Sequence, residues 1–237
     1  MDVRFEQFPA LSALKICRHV FTQRIPDVDV SHSKAEVLER LDAAHREICK
    51  ATGFGDSDEI ASTRQSRCWR LFTAEQIHGN EIAVVDSGSR GTVGREFSAC
   101  DGIITNQRGV ALGIYVADCC AVYLVDPKTP AIGLVHSGRK GTELGVVTNA
   151  IRQMIEHFGC DPANMVAQLS PCIRPPHYEV DFASEVIRQC RALGIQHIHD
   201  SGTCTACNLG RYYSYRAEKG KTGRMLAVIG LDPAIPS

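Results

Sequence analysis

The chain has 237 residues, 44% of them hydrophobic and 22% charged, and a formal net charge of -1, which is the composition of a fully folded globular protein with a sizeable core rather than a disordered one. A near-neutral balance supplies no global basic field, no window stays apolar for a membrane-spanning length, and the start has no long apolar leader. Neither nucleic acid nor membrane is therefore an expected partner, and the cytoplasm is the expected compartment.

Ser33 to Glu36, "SKAE", has the form of a capping box, and Val37, Leu38, Leu41, Ala44 and Ile48 keep helical spacing up to Gly53, which predicts the first helix. After a charged loop come "EIAVVD", "DGIITN", "VALGIYVAD", "AVYLVD" and "AIGLVH". These short β-branched runs, punctuated by Gly, Asn, Asp and Pro, predict a multi-strand sheet in the middle third. "GTELGVVTNAIRQMIEHFG" predicts a helix with Val147, Ile151, Met154, Ile155 and Phe158 on its apolar stripe and Gly159 at its end. "MVAQLS" reads as a strand, "DFASEVIRQCRALG" as a third helix and "MLAVIG" as a last buried strand. With no repeat and no long linker, the expected fold class is α+β (α/β layered). The expectation is a single domain over 1–237, with mixed β-sheets flanked by helices.

Three polar positions fall where strands end: His78 in "EQIHGN", Cys119 in "VADCCAV" and His136 at the exit of "AIGLVH". Two imidazoles and a thiolate suffice for a catalytic zinc with an open fourth position, and all three are placed to meet at one sheet edge. Their spacing matches no compact metal signature, however, and a lone His at a strand end is more often a satisfied surface or core residue. Eleven cysteines, odd in number and scattered, read as reduced thiols rather than a disulfide framework. "CTAC", Cys204 to Cys207, has Cys-x-x-Cys spacing but no second pair and no thioredoxin-like helix start, so neither a metal nor a redox site is expected there. "SGRKGTELG" lacks the residue order of a nucleotide-hydrolysing phosphate loop.

Together, "EQIHGN", "DGIITNQRGVALGIYVADCCAVYLVD", "IGLVHSGRKGTELG", "LSPCIRPPHYEVDF" and "CTACNLGRYYSYRAEKGKTGRMLAVIG" resemble the laccase-domain family, also called multicopper polyphenol oxidoreductases. The motif match runs over about 74–230. The resemblance implies a purine nucleoside phosphorylase, with adenosine deaminase and methylthioadenosine phosphorylase as further activities. Its small-molecule partners would be a nucleoside and phosphate. It also implies that His78, Cys119 and His136 are the metal and catalytic residues, that Cys120 belongs to the core, and that Asp118 fixes the turn or orients a site histidine. Zinc is the implied cofactor. Copper of the multicopper type is disfavoured, because the chain has one His-x-His pair, His197 to His199, where such enzymes need several.

The chain departs from the family in carrying Arg139-Lys140 where Trp-Arg is usual, and in lacking the usual N-terminal pattern. Lys140 is the first phosphate candidate, helped by the start of the helix that follows it, with Arg139, Arg216 and Arg224 behind it. Two other readings of the same residues stay open. One is a metal-free cysteine hydrolase with Cys119 as nucleophile and His136 as base. The other is a non-catalytic metal-binding or partner-regulating protein.

Overall fold

Period-2 alternation along buried strands decides which core each side chain enters, and here it builds a fold of stacked layers. The computed structural model describes residues 4–54, 69–86 and 96–233. Their elements are, in chain order, β1 (Phe5–Glu6), α1 (Pro9–Ser12), β2 (Cys17–Thr22), α2 (Lys34–Ala51), β3 (Arg70–Ala74), β4 (Ile82–Val85), β5 (Glu96–Phe97), β6 (Gly102–Thr105), β7 (Val110–Val116), β8 (Cys120–Asp126), β9 (Ala131–Ser137), α3 (Arg139–Glu143), α4 (Val146–Phe158), β10 (Val166–Leu169), α5 (Phe182–Ala192), β11 (His197–Asp200) and β12 (Met225–Leu231). One mixed sheet has the order β1-β2-β12-β7-β3-β5 and the other β11-β10-β8-β9-β6-β4.

On β8, Ala121, Tyr123 and Val125 enter the core shared with β7 and β12, while Val122 and Leu124 enter a second core with α4 and α5. The strand reads as continuously apolar because both of its faces are buried. α2 covers the outer face of the first sheet, over Leu71, Tyr115 and Leu226. The layers therefore run α2, first sheet, second sheet, then α4 with α5, and the domain is a single α+β unit. Among the described residues no helix is long and apolar enough to cross a membrane, and the ten described cysteines are free thiols.

The capping box forms in full. Ser33 accepts from the Glu36 backbone N–H and Glu36 accepts in return from the Ser33 N–H, a cap that contributes about 1 kcal/mol. The segment after His136 differs from the single helix expected there. α3 follows β9 directly, and the chain then breaks at Gly145, whose φ of +75° is left-handed, before α4 begins. Glycine enters that region without the Cβ clash other residues meet, so α4 is a separate helix and its dipole does not extend back to Lys140.

Candidate functional site

The chain crosses from the first sheet to the second three times, through Glu75–Glu81 between β3 and β4, through Ser98–Asp101 between β5 and β6 and through Ala117–Cys119 between β7 and β8. The first and the last of these crossings hold non-glycine residues at left-handed φ: Gln76 at +62°, His78 at +61° and Asp118 at +83°. Such conformations persist only where the surroundings over-determine them, and here they do. The Gln76 amide donates to the Tyr115 carbonyl (2.6 Å) and its oxygen accepts from the Tyr115 N–H (2.9 Å), pinning the first crossing against β7. The Asp118 carboxylate accepts from Thr205 Oγ1 and from the Arg216 N–H, both at 2.7 Å, and its backbone carbonyl accepts from the Ile173 N–H at 2.8 Å.

These crossings bring His78 and Cys119 to His136, at the end of β9, where the three ligand atoms all lie within 4.8 Å of one another. The His78 and His136 rings meet edge to face with centroids 4.8 Å apart. The meeting point is the seam between the two sheets rather than the edge of one. Cys120, the next residue, is fully buried in the second core.

Asp101, which no sequence motif singles out, holds this arrangement in place. It is fully buried just before β6. It accepts from His136 Nδ1 at 2.8 Å and from the backbone N–H groups of His78 (2.9 Å) and Gly79 (2.6 Å). One carboxylate thus seats two of the three converging residues and leaves Nε2 as the nitrogen of His136 that can face Cys119 or a metal. Burial works against its ionisation, but the bonds from His136, Gly79 and His78 outweigh this and hold the carboxyl below the usual range. The only sequence signal was an Asp opening the buried run "DGIITN", which also reads as ordinary turn punctuation. Asp118, by contrast, directs its carboxylate to Thr205 and Arg216 and so fixes the turn.

Burial would raise the Cys119 thiol, but the charge of His136 and hydrogen bonds from His136 and His78 more than reverse this and bring it down to about 6. Burial likewise lowers His136, and the Cys119 thiolate and Asp101 carry it up to about 9. Cys119 is lowered on folding, so its contribution to stability is complete above its unfolded value, about 8.5, and is lost as pH falls through about 6. His136 is raised, so its contribution is complete below about 6.5 and is lost as pH rises through about 9. In metal-free protein the thiolate–imidazolium pair therefore spans about pH 6 to about pH 9. Alkylation of Cys119 by iodoacetamide should reach half its maximal rate near pH 6, measured by mass spectrometry of the labelled peptide. An inflection near the ordinary thiol value would rule the pair out.

The three residues lie in a cleft of about 870 Å³ that is also lined by Tyr178, Phe182 and Tyr215. All four sequence-predicted cations line it, but their partners separate them. Arg139 bonds Glu143 at 3.0 Å and faces Glu179 at 3.8 Å, while Arg216 pairs with Glu179 at 3.2 Å. Arg224 donates to the Thr222 and Gly223 carbonyls and lies 5.8 Å from the Tyr215 ring centroid. Burial pushes its guanidinium down, with Cys119 and Asp118 acting in the opposite sense. Among the described residues no carboxylate pairs with Lys140 or Arg224.

Comparison with known proteins places this geometry in a family. The chain is 30% identical over 198 residues to the purine nucleoside phosphorylase YlmD of Bacillus subtilis (strain 168), covering 68% of this chain and 70% of that protein. It is 33% identical over 183 residues to the purine nucleoside phosphorylase ORF3 of Streptomyces griseus, covering 66% and 72%. The crystal structure of YlmD from Geobacillus stearothermophilus has the same fold, with a TM-score of 0.76 at 22% identity over 97% of this chain and 99% of that one. The profile of the family described as multi-copper polyphenol oxidoreductase laccase matches residues 55–191 and 181–232, and the chain belongs to that family.

Proposed function

We propose that this protein is a zinc-dependent purine nucleoside phosphorylase that takes a nucleoside and inorganic phosphate as its small-molecule substrates. The observation that carries the reading is the convergence of His78, Cys119 and His136 in a cleft whose wall holds Lys140 and Arg224, cations with no carboxylate partner among the described residues. The names of the relatives from Bacillus subtilis and Streptomyces griseus support the same reaction class. The donor set fits zinc: a thiol already inclined to ionise, and an imidazole whose second nitrogen is taken by a carboxylate. When bound there, zinc supplies Lewis-acid stabilisation of developing negative charge.

In phosphorolysis a phosphate oxygen bonds to the anomeric carbon as the glycosidic bond breaks, and the electron pair and a proton pass to the purine. Lys140 and Arg224 bring positive charge to the phosphate, and Tyr178, Phe182 and Tyr215 give the purine ring flat apolar surface. The same cleft is our candidate for adenosine deamination and methylthioadenosine phosphorolysis. The test is a nucleoside panel given to zinc-loaded protein with and without phosphate. Free base formed only with phosphate supports phosphorolysis, and inosine formed from adenosine without phosphate supports deamination. A panel with no turnover would favour a non-catalytic protein.

The Cys119–His136 pair also favours a second chemistry, thiolate attack without a metal. Turnover by chelator-treated protein, with a covalent adduct on Cys119, would select it.

Lys140→Ala should raise the KM for phosphate about tenfold or more, the size of a lost charge-assisted hydrogen bond. Lys140→Arg should stay within about threefold of wild type or improve on it, because a guanidinium presents a fork to phosphate. Steady-state kinetics over phosphate concentration reads both. An unchanged KM in Lys140→Ala would move the anion site to Arg224.

A further inference from the structure

The Cys204–Cys207 pair, set aside on spacing alone, has a third partner that spacing cannot reveal. His177 Nδ1 lies 3.8 Å from Cys204 Sγ and 3.6 Å from Cys207 Sγ, and the three atoms all fall within 4.8 Å of one another. We propose that His177, Cys204 and Cys207 form a second, separate site for a zinc-class metal ion.

Bonds of about 2.3 Å to sulfur and about 2.0 to 2.1 Å to nitrogen, at a tetrahedral angle, put sulfur and nitrogen about 3.5 to 3.6 Å apart. Both observed separations are close to that value. Two thiolates would neutralise a divalent ion, and sulfur with imidazole is the donor set zinc prefers over magnesium or calcium. Three protein ligands leave one position, and exposed His177 and Cys207 give the ion a way in beside buried Cys204.

The scaffold is built without the ion. Cys204 is extended (φ -88°, ψ 124°) and leads into a single 3-10 turn, Thr205–Cys207, in which the Cys207 N–H donates to the Cys204 carbonyl at 3.3 Å. This turn brings both sulfurs to one side. His177 closes a turn of its own, donating its N–H to the Arg174 carbonyl at 2.9 Å. The two segments are joined by Cys172, whose N–H donates to Thr203 (3.1 Å) and whose carbonyl accepts from Thr205 (3.1 Å). An ion there would tie the segment ahead of Tyr178, which lines the cleft, to the turn whose Thr205 holds Asp118. It shares no ligand with the first site and stands whether or not the chain is a phosphorylase.

The test is zinc stoichiometry under reductant, by competition with a chromophoric chelator, in Cys119→Ala, Cys119→Ala/Cys207→Ser and Cys119→Ala/His177→Ala. Circular dichroism checks that each variant is folded. One tight equivalent is expected in Cys119→Ala and none in either double variant. Cobalt loading of Cys119→Ala should give a thiolate charge-transfer band that both double variants lose. No stoichiometric zinc in folded Cys119→Ala, or zinc retained by the double variants, would overturn the proposal. So would a Cys204–Cys207 disulfide that persists under reductant in place of metal uptake.

Discussion

Asp101→Ala should lower affinity for a metal at the His78–Cys119–His136 site about 10- to 100-fold and destabilise the fold by about 3 to 5 kcal/mol. The carboxylate is fully buried and meets three donors: His136 Nδ1 and the backbone N–H groups of His78 and Gly79. Alanine leaves all three facing a void, and each orphaned donor carries a penalty of about 1 to 3 kcal/mol. Two losses follow at the site. The His78 turn, already at φ +61°, loses the acceptor that holds it, and His136 loses the carboxylate that fixes its ring and supports its charge. The second loss has its own signature. With His136 less able to stay protonated, the Cys119 alkylation profile should shift upward from its inflection near pH 6 toward that of an ordinary thiol. Asp101→Asn, which keeps the shape but has one acceptor oxygen, should fall between wild type and alanine. Metal competition, thermal denaturation and the alkylation profile together read the effect. Unchanged metal affinity and alkylation in Asp101→Ala would mean that the site is positioned by something else.

Gly138→Ala tests the same site by pressing on it rather than undermining it. Gly138 has φ -103° and ψ -174°, extended backbone that alanine adopts freely, so strain in the main chain is not at issue. A Cβ built there would lie 2.5 Å from Cys119 Sγ, well inside contact distance. The sulfur can rotate away, so the fold should survive with a loss of about 1 to 3 kcal/mol. The site should not survive: a displacement of about 1 Å is enough to reduce turnover about 100-fold. The expected result is a folded protein with a normal circular dichroism spectrum, much weaker metal binding and turnover near background. Full activity in this variant would show that Cys119 Sγ is not where the chemistry needs it.

Local physics made much of the fold legible. The capping box at Ser33 and Glu36 involves only neighbouring residues, and it formed in full. The runs from "DGIITN" to "AIGLVH" became β6 to β9 because a strand buried on both faces must be apolar throughout. The left-handed break at Gly145 was not legible. Glycine inside an amphipathic run is often tolerated, and the run on either side of it continues the helical pattern. β2 and β3 were missed too. "CRHVFT" and "RLFTA" are short and carry charge, and they become strands through pairing with β12 and β7, which lie far away in the chain.

The candidate site divides along the same line. By itself the sequence determined residue types at strand ends: an imidazole in "EQIHGN", a thiol in "ADCC", an imidazole closing "AIGLVH" and cations in "SGRK" and "YRAEKGKTGR". Tertiary structure decided which of them meet, because β3 and β7 join one sheet while β4 and β8 join the other, and the crossings between them bring His78 and Cys119 to the end of β9. It also decided that Asp101 rather than Asp118 supports a site histidine, that Glu179 faces Arg139 and Arg216 while no carboxylate among the described residues pairs with Lys140 or Arg224, and that His177 reaches the Cys204–Cys207 turn. Caps and hydrophobic periods act over a few residues and can be read along the chain. Convergence depends on which strands pair across long separations, and those pairings are set by burial of the whole core rather than by any local pattern.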